Sequence, residues 1–273
     1  MSATTMPMAE FRVGEVLSRA LVILGRNIAP FALIVLVLTL PYLYVVWQIQ
    51  PGLGGAYDME QLTLRMAESD VEDMSAVGTV LATSVVVLVV YALTSSLAAG
   101  AVVYGTFQQL RGRTAGIGEC VARGFGSIVP IVGVALVGGI ASFLGLFLFI
   151  VPGIMLYLMF WVAVPAAVVE RPGIFASLRR SAALTKGYRW RLLGIVLVLL
   201  VLAQVVNSIV QAPFVRWDGS RADTDSLIAM LLLGHVAHVF FIALGAVAAA
   251  VAYYDLRVVK EGFDPARIAA IFD

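Results

Sequence analysis

Residues 128–170 read IVPIVGVALVGGIASFLGLFLFIVPGIMLYLMFWVAVPAAVVE, and the first charge in the run is Glu170 at its end. As one helix it would be roughly 64 Å long, about twice what a crossing of roughly 30 Å of hydrocarbon requires. It therefore divides into two crossings, 128–150 and 152–170, with Val151-Pro152-Gly153 as the expected tight hairpin, Pro152 and Gly153 serving structural roles. Outward from this pair, four more stretches are long and apolar enough to span: 30–49, 77–103, 191–212 and 226–253. The expected fold is all-α: a polytopic bundle of six transmembrane helices forming a single integral membrane domain over 1–273.

Composition agrees. Of 273 residues, 61% are hydrophobic and 13% charged, with a mean hydropathy of +0.99. Soluble domains run near half apolar and a quarter charged, and one core of this size cannot hide the excess. The lone Cys120 excludes an internal disulfide framework and supplies no metal cluster. The opening MSATTMPMAEFRVGEVL carries Glu10 and Glu15 and lacks the basic, then apolar, then small-residue order of a cleaved signal, so the first span is expected to be retained.

Orientation follows from the cations. Arg12, Arg19 and Arg26; Arg111, Arg113 and Arg123; Arg171, Arg179, Arg180, Lys186, Arg189 and Arg191; and Arg257, Lys260 and Arg267 all fall on one side. Only Arg65, Arg216 and Arg221 fall on the other. The positive-inside rule then predicts cytoplasmic termini in a bacterial inner membrane, with 256–273 as a cytoplasmic tail. The acidic residues Asp58, Glu60, Glu68, Asp70, Glu72 and Asp73 lie outside, on an expected solvated helix at about 59–74. Tyr42, Tyr44, Trp47 and Trp217 are expected at the outer interface, and Tyr188, Trp190, Tyr253 and Tyr254 at the inner one.

Three cytoplasmic segments carry helical periodicity. Val13, Leu17, Ala20, Leu21, Leu24 and Ile28 line one face of the first, opposite Arg12, Glu15, Arg19 and Arg26. Ile117, Val121, Phe125 and Ile128 line the second, opposite Glu119 and Arg123; Phe175, Leu178 and Ala182 line the third, with Arg179, Arg180 and Lys186 outward. Basic amphipathic helices lie in the membrane interface and attract anionic lipid, which makes Arg12, Arg19, Arg123, Arg179, Arg180 and Lys186 candidate headgroup contacts. The expected plan is a threefold repeat of interfacial helix plus helical hairpin, over 8–103, 112–170 and 173–255. The alternative reading of the same pattern is three unrelated basic connectors.

The stretch 152–194, with Pro152-Gly153-Ile154, Ala163-Val-Pro165, Glu170, Leu178-Arg-Arg-Ser181 and Leu184-Thr-Lys-Gly187, resembles a known family. Phe11-Arg-Val-Gly-Glu-Val-Leu17, Tyr253-Tyr-Asp-Leu-Arg257 and Glu261-Gly-Phe-Asp264 extend the likeness over nearly the whole chain. It is similar to the bacterial integral-membrane proteins of the glycerophosphoryl diester phosphodiesterase membrane domain, a group that includes the YciC-like proteins. The resemblance implies a membrane domain that in some members is fused to a soluble phosphodiesterase. The resemblance is not expected to carry over the phosphodiesterase activity, since His235 and His238 are the only histidines of these 273 residues and both fall inside a span.

Polar residues inside spans are the remaining candidates. Gln204, Asn207, Ser208 and Gln211 share one face of the fifth span, and His235 and His238 one face of the sixth. Gln204 and His235 are both about 12–14 Å from the outer ends, so the stripes are expected to meet, as a polar pocket or as interhelical hydrogen bonds. Gly138, Gly139, Ala141, Ser142 and Gly145, and Gly245, Ala246, Ala248, Ala249, Ala250 and Ala252, are expected to pack helices closely. Glu170 is expected to clamp Arg179 or Arg180. Phosphate-loop, nucleophile-elbow, zinc-protease and paired-cysteine motifs are lacking, and the dispersed cations exclude a nucleic-acid groove. The expectation is a non-enzymatic membrane protein without metal or cofactor, whose partners are lipid, another membrane protein or a second copy. The alternative is a small permease using the polar pocket.

Overall fold

The computed structural model describes residues 11–49, 74–214 and 223–262. The acidic segment 58–73, Arg65, Arg216, Trp217, Arg221 and Arg267 lie outside them. The described residues are all-helical, with α1 Val13–Arg26, α2 Ile28–Ile49, α3 Met74–Leu110, α4 Ile117–Gly126, α5 Ile128–Leu148, α6 Ile150–Phe160, α7 Ala163–Val169, α8 Ile174–Thr185, α9 Arg189–Gln211 and α10 Thr224–Glu261. Six segments are long and apolar enough to cross a membrane: α2, Leu81–Leu110 of α3, α5, α6 with α7, α9 with the short turn Ala212–Phe214, and α10.

Prolines set many of the boundaries. Pro30, Pro130, Pro152 and Pro165 each stand third in the helix that follows a break, at Asn27, Ser127, Phe149 and Val162 respectively. First-turn N–H groups have no intrahelical acceptor, so proline's missing donor is harmless there. The turn between the third and fourth spans therefore falls at Phe149 (φ −154°, ψ 132°) and not at Val151-Pro152-Gly153, which form the first turn of α6. Gly153 still serves this turn. A Cβ on it would lie 2.3 Å from the Leu146 backbone nitrogen, so α5 and α6 approach at a distance only glycine allows. The fourth span is itself interrupted at Trp161 and Val162, where Pro165 leaves the Trp161 carbonyl without its donor.

The three short helices α1, α4 and α8 enter the spans through hinges that end alike, a single residue after α1 and α4, and Lys186-Gly187-Tyr188 with Gly187 at φ 90° after α8. Asn27, Ser127 and Tyr188 have φ of −126°, −117° and −116° and ψ of 25°, 15° and 5°. Their N–H groups donate to Leu24, Gly124 and Thr185 at 3.0–3.1 Å, and their carbonyls accept from Phe31, Ile131 and Leu192 at 3.0 Å. Counted from the hinge, the same positions are buried each time: Ala20, Cys120 and Ser181; Leu24, Gly124 and Thr185; Phe31, Ile131 and Leu192; Ile34, Val134 and Ile195.

The core runs along α10 and the second half of α3, where Ala98, Ala101, Val102, Ala243, Val247, Ala248, Ala250 and Ala252 are buried. Small side chains bring helix backbones close enough for dispersion to hold them, which matters where lipid is as apolar as the partner helix. At 38 residues α10 is about 57 Å long, well over the roughly 30 Å of hydrocarbon that a span must cross. It begins at Asp223, whose carboxylate caps Ser226, and ends at the left-handed Gly262.

Candidate functional site

At the basic end, α1, α4 and α8 lean on the ends of α3 and α10. Arg19 of α1 donates to Asp255 of α10 at 2.7 Å, and Arg191 of α9 donates to the Phe11 carbonyl at 2.7 Å. Lys260 donates to the Ala183 carbonyl of α8 at 2.5 Å. Tyr104 of α3 donates to Glu119 of α4, with Arg123 5.8 Å over its ring. Ser181 of α8 reaches across to the Met159 carbonyl at 2.7 Å, just ahead of the interruption in the fourth span.

The helices seat on part of the face expected from their periodicity: Ala20, Leu24 and Leu178 are buried, and Val13, Leu17 and Val121 pack against the core. In α4 the buried residues are Cys120 and Gly124, against Gly105 and Ala101 of α3, while Ile117 and Phe125 are exposed. In α1 the buried line is Val16, Ala20 and Leu24, with Leu21 and Val22 exposed. In α8 Leu178 is buried among Ser177, Ser181 and Thr185, and Phe175 is 71% exposed. In α4 the reason is size: small side chains let the helix seat on α3, and Ile117 and Phe125 turn outward; α1 and α8 seat Leu24, Leu178 and Leu184 beside their small residues. The cations divide: Arg19 is held by Asp255, Arg180 by Glu170 and Glu261, and Arg123 lies over the Tyr104 ring, while others face away from the protein. Arg12 lies 3.9 Å from Glu15, and Arg179 and Lys186 are exposed.

Between α7, α8 and α10 lies a ring of alternating charge. Glu170 accepts from Arg180 Nε at 2.9 Å, Arg180 pairs with Glu261, Arg257 Nε donates to Glu261 at 3.0 Å, and Arg257 Nη1 returns to Glu170 at 3.5 Å. Tyr253 also donates to Glu170. Burial works against the Arg180 cation, but its bonds to Glu170 and Glu261 outweigh it, so its pKa is raised. The clamp on Glu170 is built with Arg180, while Arg179 points outward. Sequence reasoning missed Tyr253, Arg257 and Glu261 as one set, although their spacing of four places them on one face of α10.

Inside the spans the two polar stripes do not meet, which corrects the expected pocket between the fifth and sixth spans. His235 is buried and bonded to Thr39 of α2 at 3.2 Å. His238 lies 5.8 Å and 5.6 Å from the Tyr42 and Tyr91 rings, and its Nε2 is buried without a partner among the described residues. Gln204, Ser208 and Gln211 are exposed on α9, Asn207 is half-buried, and Gln211 donates to Asn207 at 2.9 Å. The histidine side of α10 faces α2 and α3; the amide side of α9 faces away from the protein.

Cys120 sits buried where Gly105 admits its sulfur, and burial, aided by the nearby Glu119, pushes its thiol up to about 11. Such a thiol is a packing group, not a nucleophile. Among the described residues no group of three His, Cys, Asp or Glu is placed to hold a metal. No family model, curated protein or solved structure matches this chain.

Proposed function

We propose that this chain is a non-enzymatic bacterial inner-membrane protein of the phosphodiesterase-membrane-domain type that engages anionic lipid through α1, α4 and α8, with both termini cytoplasmic. The observation that carries this is the pairing, on each of the three helices, of outward cations with outward bulky apolar side chains. Leu21 and Val22 accompany Arg26, Phe125 accompanies Arg123, and Phe175 accompanies Arg179. A helix amphipathic only for packing buries its apolar residues; one lying on a bilayer sinks them into acyl chains and leaves cations at the phosphates. The shared hinge supports reading 8–103, 112–170 and 173–255 as three copies of one unit, which sets three such helices around one end of the bundle.

The far end supports the same reading. Phe147, Leu148, Phe149, Ile150 and Val151 are 64–82% exposed at the turn between the third and fourth spans, without a polar side chain. The turn's own bonds, Phe149 N–H to Gly145 and Gly153 N–H to Phe149, leave few open donors, so it is suited to acyl chains.

The test is to reconstitute the protein in phosphatidylglycerol and in phosphatidylcholine nanodiscs and compare melting. The anionic lipid raises the melting temperature, and the gain shrinks in high salt and in Arg123→Gln/Arg179→Gln/Lys186→Gln. Each cation is worth about 1 kcal/mol near an anionic surface. Equal melting in the two lipids overturns the proposal.

A further inference from the structure

The fifth span is the least enclosed of the six. Only 6% of its apolar stretch is buried, against 22–39% in the others. Its outward side is patterned: Trp190, Leu193, Leu197, Leu200, Gln204, Asn207 and Gln211 alternate spacings of three and four, the seam at which two parallel helices interlock. Trp190, Leu197, Leu200, Gln204 and Gln211 are exposed, and Leu193 and Asn207 half-buried.

Gln204 lies ten residues before Phe214, or about 15 Å inside the end of the span. A carboxamide facing hydrocarbon there costs several kcal/mol unless something bonds it. Gln211 and Asn207 satisfy each other in part, leaving the Gln211 oxygen and the Asn207 nitrogen as acceptor and donor. Ser208 adds a hydroxyl on the same side.

From this seam we infer that two copies of the chain associate through α9, about a twofold axis along the membrane normal. Two copies with the same topology bring each residue to its own counterpart at the same depth. Like meeting like favours groups that both donate and accept, and penalises charge. Between Leu193 and Gln211 the seam holds aliphatic side chains and carboxamides, with no acid or base. Leu197 and Leu200 interdigitate in one half of the membrane, beside Leu193 at the rim of the chain's own core, and Gln204, Asn207 and Gln211 hydrogen-bond across the axis in the other.

Cysteine cross-linking in native membranes tests this, with the buried Cys120 retained as an internal control that forms no adduct. Leu197→Cys and Leu200→Cys, each made separately, give a disulfide-linked species of twice the chain mass on mild oxidation. Leu202→Cys and Ile209→Cys, exposed on the other edge of α9, do not. Adding Gln204→Leu and Gln211→Leu lowers association roughly threefold for each amide pair lost, the equivalent of about 0.6 kcal/mol per contact. Equal cross-linking on both edges, adducts only with a chain of another mass, or no adduct at either seam position while both variants accumulate, overturns it.

Discussion

Gly153 shows how a single hydrogen in place of a methyl group sets the geometry of a helical turn. The atoms a Cβ would strike are the Leu146 nitrogen and Cα, at 2.3 and 2.4 Å, and backbone cannot swing aside as a side-chain tip can. Gly153→Ala is therefore expected to cost about 1–3 kcal/mol, read as a lower melting temperature in detergent. Gly139→Ala, whose Cβ meets nothing within 4 Å, should leave it unchanged or raise it. Cys120 gives a pH signature. Its folded thiol is raised from the usual 9 to about 11, so the unfolded chain loses that proton first as pH rises. The resulting stability is complete below pH 9 and is lost between 9 and 11. The melting temperature of the native protein should fall relative to Cys120→Ala over that window; parallel curves would contradict it. Both residues were visible in the sequence, Gly153 as part of a hairpin and Cys120 as a lone thiol. Neither sequence context states which neighbour lies within van der Waals reach.

At the scale of elements, four prolines mark where a helix has begun, while Pro41 sits in the middle of α2. Pro152 suggested a turn at 151–153, yet the turn lies three residues earlier because a helix tolerates proline throughout its first turn. Pro30, Pro130 and Pro165 follow the same rule, so four breaks could be read from four prolines once the offset is known. The displaced turn is apolar from Phe147 to Val151. Phe149→Cys should resist a charged, membrane-impermeant maleimide applied from either side, whereas Thr224→Cys, exposed in the first turn of α10, should label from one side only. Labelling of the two at equal rates would place the turn in water. The amphipathic helices carry a similar lesson. Their periodicity was legible, but small residues seat beside or in place of the bulky ones, Cys120 with Gly124 and Ser177 with Ser181, while Phe125 and Phe175 look outward.

Across the whole molecule, the ring of Glu170, Arg180, Glu261 and Arg257 ties the far end of the chain to its middle. Arg257 is 7% exposed, and removing it leaves Glu261 and Glu170 short of a counter-charge in a desolvated place. Arg257→Gln is expected to lose about 3–5 kcal/mol, measured by melting, and Glu170→Gln/Arg257→Gln less than the sum of the two single changes. Strict additivity would mean that the two residues do not interact. Together with the Arg19–Asp255 bond, the ring holds α1, α8 and α10 at one end, fixing where their outward cations point.

The sequence by itself determined which segments are long and apolar enough to cross a bilayer, and it segregated the charges between loops. Both are set by one-dimensional quantities: a run of about 20 apolar residues matches the hydrocarbon, and each cation in the membrane costs too much to be misplaced. Only the tertiary structure decided which side of each helix meets protein. In lipid the outside of a helix is as apolar as its inside, so hydropathy cannot separate them, and the choice falls to size and to hydrogen bonding. That is why His235 and His238 turned to Thr39, Tyr42 and Tyr91 of α2 and α3, while Gln204 and its stripe on α9 were left facing out.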